Sequence, residues 1–300
     1  MKTLSLTHLK SLQPETFIAK LQQSQQLGTE YASAYIHQGN ECLRVGDYQG
    51  AIENYTQVLN FKSDEAILYC LRGCAYAALG DYQGAIEDYT EAISLDPNFA
   101  AAYIDRGSFR DELGDRQGAI ADYNHALKIK PNHDLAYYNR GLIYSRLGQI
   151  DKAIKDYTQA IKFNSKLAQA YVNRGNIHSE LGDTKAAIQN FNQALELNPN
   201  FAEAYVNRGN VHVAIGNYQG AIEDYEKAAK LLFELAEIPV YQQVRDRIQE
   251  LETNLKQQAE KKALESMPKT LDYTLDELLA GVIESSEEIS WGKPEGQEIW

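Results

Sequence analysis

One pattern returns six times in this chain, every 34 residues, with no insertion or deletion between copies. Glycine stands at Gly39, Gly73, Gly107, Gly141, Gly175 and Gly209. Alanine stands at Ala51, Ala85, Ala119, Ala153, Ala187 and Ala221, and each copy opens with Tyr35, Tyr69, Tyr103, Tyr137, Tyr171 or Tyr205. A register kept over six copies requires one supersecondary unit stacked on copies of itself. In such a stack each unit touches only its neighbours, and the assembly offers an extended surface instead of an enclosed pocket. An enzyme is therefore not expected.

The copy from Ala66 to Phe99 shows what the unit is. Ile67, Cys70, Leu71, Cys74 and Ala78 recur at helical spacing, which predicts a first helix with these residues as its apolar stripe. Gly80 stops that helix where the chain must turn left-handed. Asp81 is placed as the N-cap of a second helix. Its apolar stripe reads Ala85, Ile86, Tyr89, Ala92, Ile93 and Leu95. Pro97 ends it. Gly73 and Ala85 are small where the two helices approach closely. The fold class expected is all-α, a pile of antiparallel helix pairs. The pairs are 32–65, 66–99, 100–133, 134–167, 168–201 and 202–235. A helical segment precedes them in 1–31, with a short helix over Pro14 to Gln26. An apolar stripe of Val240, Val244, Ile248, Leu251 and Leu255 predicts a capping helix within 236–266, covering the last unit's exposed apolar face.

Charge excludes one class of function. The chain carries 29 basic and 42 acidic residues, a net charge of −13, whereas a phosphate-tracking surface needs a basic patch. No nucleic-acid partner is expected. No run of 18 apolar residues exists and Met1 to Lys20 shows no apolar signal core, so neither a membrane span nor a secretory leader is expected. Cys42, Cys70 and Cys74 form no disulfide framework. The localisation expected is cytoplasmic.

The landmarks Tyr69, Gly73, Ala85, Tyr89, Ala92 and Pro97 resemble the tetratricopeptide repeat, or TPR, and the resemblance covers residues 32 to about 235. The units depart from it where Cys42, Arg110, His178 and His212 replace the tyrosine found at Tyr76 and Tyr144, and where Ser63 and Ser165 replace the link proline. The resemblance implies a right-handed superhelix whose concave groove is lined by the first helix of every unit. It places Asn139, Asn173 and Asn207 on that groove, with Asp105 one unit earlier and Asn176 and Asn210 three residues further along the same face. Asparagine offers two donors and one acceptor, which suits an extended peptide backbone; the alternative is that it only solvates the groove wall. The basic clamp that some TPR proteins use for chaperone C-termini is not evident, since its places hold residues such as Ile36, Leu71 and Asp105.

A second row, Arg72, Arg106, Arg140, Arg174 and Arg208, could bind acidic ligands. However, an acid follows sixteen residues later as Asp88, Asp122, Asp156 and Asp224. In the first unit both members are neutral together, as Gln38 and Asn54, while the fifth unit keeps Arg174 beside Asn190. This pattern favours ion pairs within the stack. Cys70 and Cys74 share a helix face without further ligands at a metal-binding spacing, and His178 with His212 reads as replacement of a packed tyrosine. No nucleophile, P-loop or dinucleotide motif occurs, and no cofactor or metal is expected.

Beyond Met267 the period ends. From Thr270 to Trp300 there are eight acidic residues and one lysine, and both tryptophans of the chain. Thr274 and Glu277 have capping-box spacing for a short helix from Leu275 to Val282. The residues Tyr273, Thr274, Leu275, Glu277, Leu278, Ile289, Trp291, Gly292, Pro294, Glu298, Ile299 and Trp300 resemble the C-terminal toxin-binding segment of MazE-type antitoxins. That resemblance implies a MazF-type endoribonuclease toxin as a partner of 267–300, with Leu275, Leu278, Trp291, Ile299 and Trp300 as contacts. The antitoxin's DNA-binding domain has no counterpart, so operator binding is not implied. The functional expectation is a non-enzymatic interaction scaffold with a peptide or protein in the groove and a toxin on the tail. The alternative is a tail that folds back on the groove or is inert.

Overall fold

The computed structural model describes residues 25–266, and among them all regular structure is helical. The elements are α1 (Gln25–Val45), α2 (Tyr48–Phe61), α3 (Ala66–Ala78), α4 (Tyr82–Leu95), α5 (Ala100–Glu112), α6 (Arg116–Ile129), α7 (Asp134–Arg146), α8 (Ile150–Phe163), α9 (Ala168–Glu180), α10 (Thr184–Leu197), α11 (Ala202–Ala214), α12 (Tyr218–Glu234) and α13 (Ile238–Ser266). Each odd-numbered helix up to α11 packs against the even one that follows, and each even one against the next odd one. Residues 14–24 of the expected N-terminal helix lie outside the described residues; α1 already begins at Gln25.

Local chemistry sets the boundaries. Asp81 accepts a hydrogen bond from Gly84 N at 2.9 Å, satisfying one donor of the α4 start, and Asp47, Asp115, Asp183 and Asn217 do the same for their helices. Gly80 takes φ +82, which lets the Tyr76 and Ala77 carbonyls be capped by the Asp81 and Gly80 amides. At the link, Asp96 turns the chain by accepting from Asn98 N at 2.9 Å.

The unit is locked by an aromatic ring seated on a glycine. Tyr55, Tyr89, Tyr123, Tyr157, Tyr225 and Phe191 are all at most 1% exposed. A Cβ built on Gly73 would lie 3.3 Å from the Tyr89 ring, and one on Gly209 only 2.7 Å from that of Tyr225. The ring thus occupies the space a side chain would need.

The expected apolar stripes need correction. Ile67 is 48% and Leu95 41% exposed, and Cys74 and Ala78 are exposed as well. On α3 the buried residues are Leu68, Cys70, Gly73 and Ala75. The reason is that a first helix is covered from two sides. Leu68 and Ala75 join Tyr55, Val58 and Leu59 of the preceding unit, while Cys70 joins Ala85, Tyr89 and Ala92 of its own. One stripe cannot describe a helix with two buried faces.

The last unit departs from the pattern. α12 has 17 residues where α10 has 14, because Phe233 and Glu234 stand where Pro199 and Asn200 stop α10. α13 then lies on α12 and buries Val244, Ile248 and Leu251, whereas Val240 stays 40% exposed. The α12–α13 turn copies the turn within a unit. Ala236 N bonds Phe233 O and Glu237 N bonds Leu232 O, as Gly80 N and Asp81 N bond Ala77 O and Tyr76 O. Ala236 stands in the glycine place with φ +58. A Cβ is penalised there. Ala236→Gly is expected to raise the unfolding free energy by up to about 1 kcal/mol after the entropy that glycine adds to the unfolded chain; urea unfolding of the full chain measures it.

Candidate functional site

Two polar rows run along the first helices. Four members of the arginine row are committed to ion pairs within the stack. Arg72 gives Nε and Nη2 to the two oxygens of Asp88 at 2.8 and 2.7 Å, and its Nη1 reaches Thr56 of the preceding unit at 3.0 Å. Arg106 repeats this with Asp122 and Thr90, Arg140 with Asp156 and Asn124, and Arg208 with Asp224 and Asn192. Each of these guanidiniums also lies 5.5–5.6 Å from the ring of the tyrosine that opens its unit. The acids are almost fully buried, at 2–4% exposure. The bonds to Asp88 and Asp224 hold the Arg72 and Arg208 guanidiniums above their ordinary range. Burial pushes the Asp88 carboxyl up, against the pull of Arg72. These are ion pairs within the stack, as the covariation between units implied. In the first unit Asn54 bonds back to Gly50 O instead.

The second row holds the candidate peptide contacts. α5 touches α7, and α9 touches α11, so neighbouring first helices meet directly. Asn207 gives Nδ2 to Asn176 Oδ1 at 2.9 Å across that junction. Asn173 gives Nδ2 to the Tyr138 hydroxyl at 3.2 Å and accepts from Gln169 at 3.4 Å, while Asn139 reaches Ser108 Oγ at 3.5 Å. Asn210 Oδ1 is taken twice, by the Tyr225 hydroxyl and by Arg247 of α13, both at 2.6 Å. All five asparagines are half-buried; Asn139 and Asn173 also interact with the Tyr123 and Tyr157 hydroxyls, while among the described residues no bond uses the amide hydrogens of Asn176 and Asn210. Tyr138, Ser108 and Arg247 are partners that the sequence reading missed. Tyr138 alone could have been found, since its place in other units holds Cys70, Ile104, Val172 and Val206.

Asp105 breaks this row. It makes no hydrogen bond or ion pair among the described residues, and burial raises its carboxyl to about 6. Its titratable neighbours are Cys70, Cys74, Tyr89 and Tyr123, none of them cationic.

The remaining candidates fall elsewhere. Leu275, Leu278, Trp291, Ile299 and Trp300 lie outside the described residues. His178 approaches Asp183 at 3.6 Å and His212 approaches Asp224 at 3.8 Å. Among the described residues no group of three or more His, Cys, Asp or Glu could hold a metal ion, and no helix is long and apolar enough to cross a membrane.

The Asp105 shift has a sign. Its folded value, about 6, lies above the ordinary aspartate range, so the fold favours the neutral acid. That contribution is complete below pH 4 and is lost as pH rises through 6. Asp105→Asn, the residue of the next three units, is expected to stabilise the chain at pH 7 by on the order of 1–2 kcal/mol and to do nothing near pH 4. Urea midpoints at the two pH values check this; an equal gain at both would contradict it.

Known proteins share this architecture. Two family models match, "TPR repeat" over residues 39–80, 112–148 and 175–216, and "Tetratricopeptide repeat" over 66–99, 135–167 and 202–232. None of the curated proteins matches. Among solved structures, MamA is 30% identical with a TM-score of 0.51, over 53% of this chain and 93% of that one. YrrB, described as a TPR protein with an unusual peptide-binding site, is 23% identical with a TM-score of 0.52, over 60% of this chain and 93% of that one. A TPR protein from Parabacteroides merdae is 23% identical with a TM-score of 0.58, over 75% of this chain and 93% of that one. The helix pairs, the glycine-seated tyrosines and these matches have one reading: the chain belongs to the tetratricopeptide repeat family.

Proposed function

We propose that this chain is a non-enzymatic interaction scaffold, six TPR units closed by α13, that holds an extended peptide segment of a partner protein along its first helices. The observation that carries this reading is the row Asn139, Asn173, Asn207, with Asn176 and Asn210 beside it. Asn176 and Asn210 accept through Oδ1 while Asn139, Asn173 and Asn207 donate through Nδ2, which fixes the amides in place, and the remaining N–H groups of Asn176, Asn207 and Asn210 suit peptide carbonyls. Asp105 at one end of the row suits a basic side chain of that peptide. A peptide site on a TPR scaffold has a counterpart in the description of YrrB.

A displayed library of random peptides selected on the full chain supplies the probe. The selected peptides are expected to be basic and to lose about tenfold or more in affinity for Asn139→Ala/Asn173→Ala/Asn207→Ala, at ~1 kcal/mol per net hydrogen bond. Unchanged affinity in a folded triple variant would move the site off this row.

The segment 267–300 is proposed to bind a MazF-type endoribonuclease toxin. Its sequence combines acidic charge, which steers toward a basic groove, with Trp291 and Trp300 as anchors. Removal of residues 270–300 is expected to abolish toxin binding and leave the repeats folded. A tail peptide with Trp291→Ala and Trp300→Ala that binds such a toxin as well as the unmodified peptide would refute the assignment.

A further inference from the structure

Four of the five arginines spend their Nε–Nη2 edge on a carboxylate of their own unit; Arg174 does not. Its Nε bonds Asn190 Oδ1 at 2.9 Å and its Nη1 bonds Thr158 Oγ1 at 3.0 Å. The other end of the Asn190 amide is an N–H donor, and it bonds Ala186 O at 2.8 Å. In the sister units Nη2 meets a carboxylate oxygen at 2.6–2.8 Å. Among the described residues Arg174 Nη2 has no such acceptor, since the one oxygen of Asn190 is taken by Nε and its nitrogen can only donate. Arg174 makes no ion pair among the described residues. Burial pulls its guanidinium below the ordinary range, the reverse of Arg72 and Arg208.

This edge is open to an external group. A cavity of about 430 Å³ lies between α9 and α10, lined by Tyr171, Arg174, Gln189, Asn190, Gln193 and Glu196. The volume admits a ligand the size of an amino-acid side chain with its backbone. Glu196 on the wall disfavours a multiply charged anion, though its charge is partly occupied by Gln193 Nε2 at 2.8 Å. Gln189 and Asn190 offer amide donors, and Tyr171, 5.8 Å from the guanidinium, a flat face.

We infer that the cavity beside Arg174 is a binding site for a single carboxylate, which accepts from Arg174 Nη2 and Asn190 Nδ2 and supplies from outside the charge that Asp88, Asp122, Asp156 and Asp224 supply from within. The replacement of aspartate by Asn190 converts a structural ion pair into a receptor. The site involves none of the asparagines of the peptide row, so its fate is independent of that reading.

The test uses the full chain and its Asn190→Asp variant. That variant folds on the precedent of four sister units and carries its own carboxylate. Sodium acetate and N-acetylglutamate amide are titrated against sodium chloride at matched ionic strength, with the Arg174 Nε–H resonance followed by NMR. A saturable shift with both carboxylates, absent with chloride and weakened at least tenfold by Asn190→Asp, is the expected result. A tighter N-acetylglutamate amide would identify the ligand as an acidic residue of a protein; equal affinities would identify a free small carboxylate. Either supports the site. A shift that is linear in every salt, one that Asn190→Asp leaves unchanged, or saturation by inorganic phosphate without saturation by acetate would overturn the proposal.

Discussion

A guanidinium shared between two neighbouring units holds this stack in register. In four units an arginine grips its own aspartate with two bonds and the preceding second helix with a third, beneath a tyrosine ring. Burying an aspartate to 2–4% exposure beside an arginine of 11–18% is expensive, and the geometry must be near ideal to offset the desolvation. That demand is what gives the contact its value. All three bonds form only when the second helix of one unit sits at a single height against the first helix of the next. An apolar interface of alanines and isoleucines tolerates slippage far better.

The asparagine face proposed to hold a peptide follows from this register. With successive first helices held at one offset, their groove positions align, and Asn207 can reach Asn176 while Asn173 reaches Tyr138. The glycine-seated tyrosines contribute to the same end. The hydroxyls of Tyr55, Tyr123 and Tyr225 emerge to bond Asn40, Ser108 and Asn210 on the first helices. Core packing and the polar first-helix face are joined through single side chains, which preorganises the amide row for the proposed peptide.

Much of the fold was legible in the sequence because the period is rigid. Gly80, Asp81 and the Arg72–Asp88 spacing each carry one local meaning, and all were readable. The apolar stripe was read less well. Ile67 looks like a core residue by type, yet packing of α3 from two sides buries Leu68 and Ala75 in addition to the expected Cys70. The asparagines were placed on one face, but their cross-unit bonds depend on which residue stands opposite in the next helix, which periodicity alone does not state. Arg247 was out of reach for a different reason: α13 departs from the repeat, so nothing in the period says which residue it brings to Asn210. Asn190 was visible as a departure from aspartate. Its consequence required seeing which end of the amide faced Arg174.

The most direct measurement of the register claim is a double-mutant cycle on Arg140 and Asp156 in the full chain, followed by chemical denaturation. Arg140→Gln alone strands a buried carboxylate and is expected to cost about 3–5 kcal/mol. The double variant Arg140→Gln/Asp156→Asn reproduces the neutral residues of the first unit and is expected to recover most of that loss. Single and double losses that simply add would mean that the pair does not act as one element, and would contradict the account.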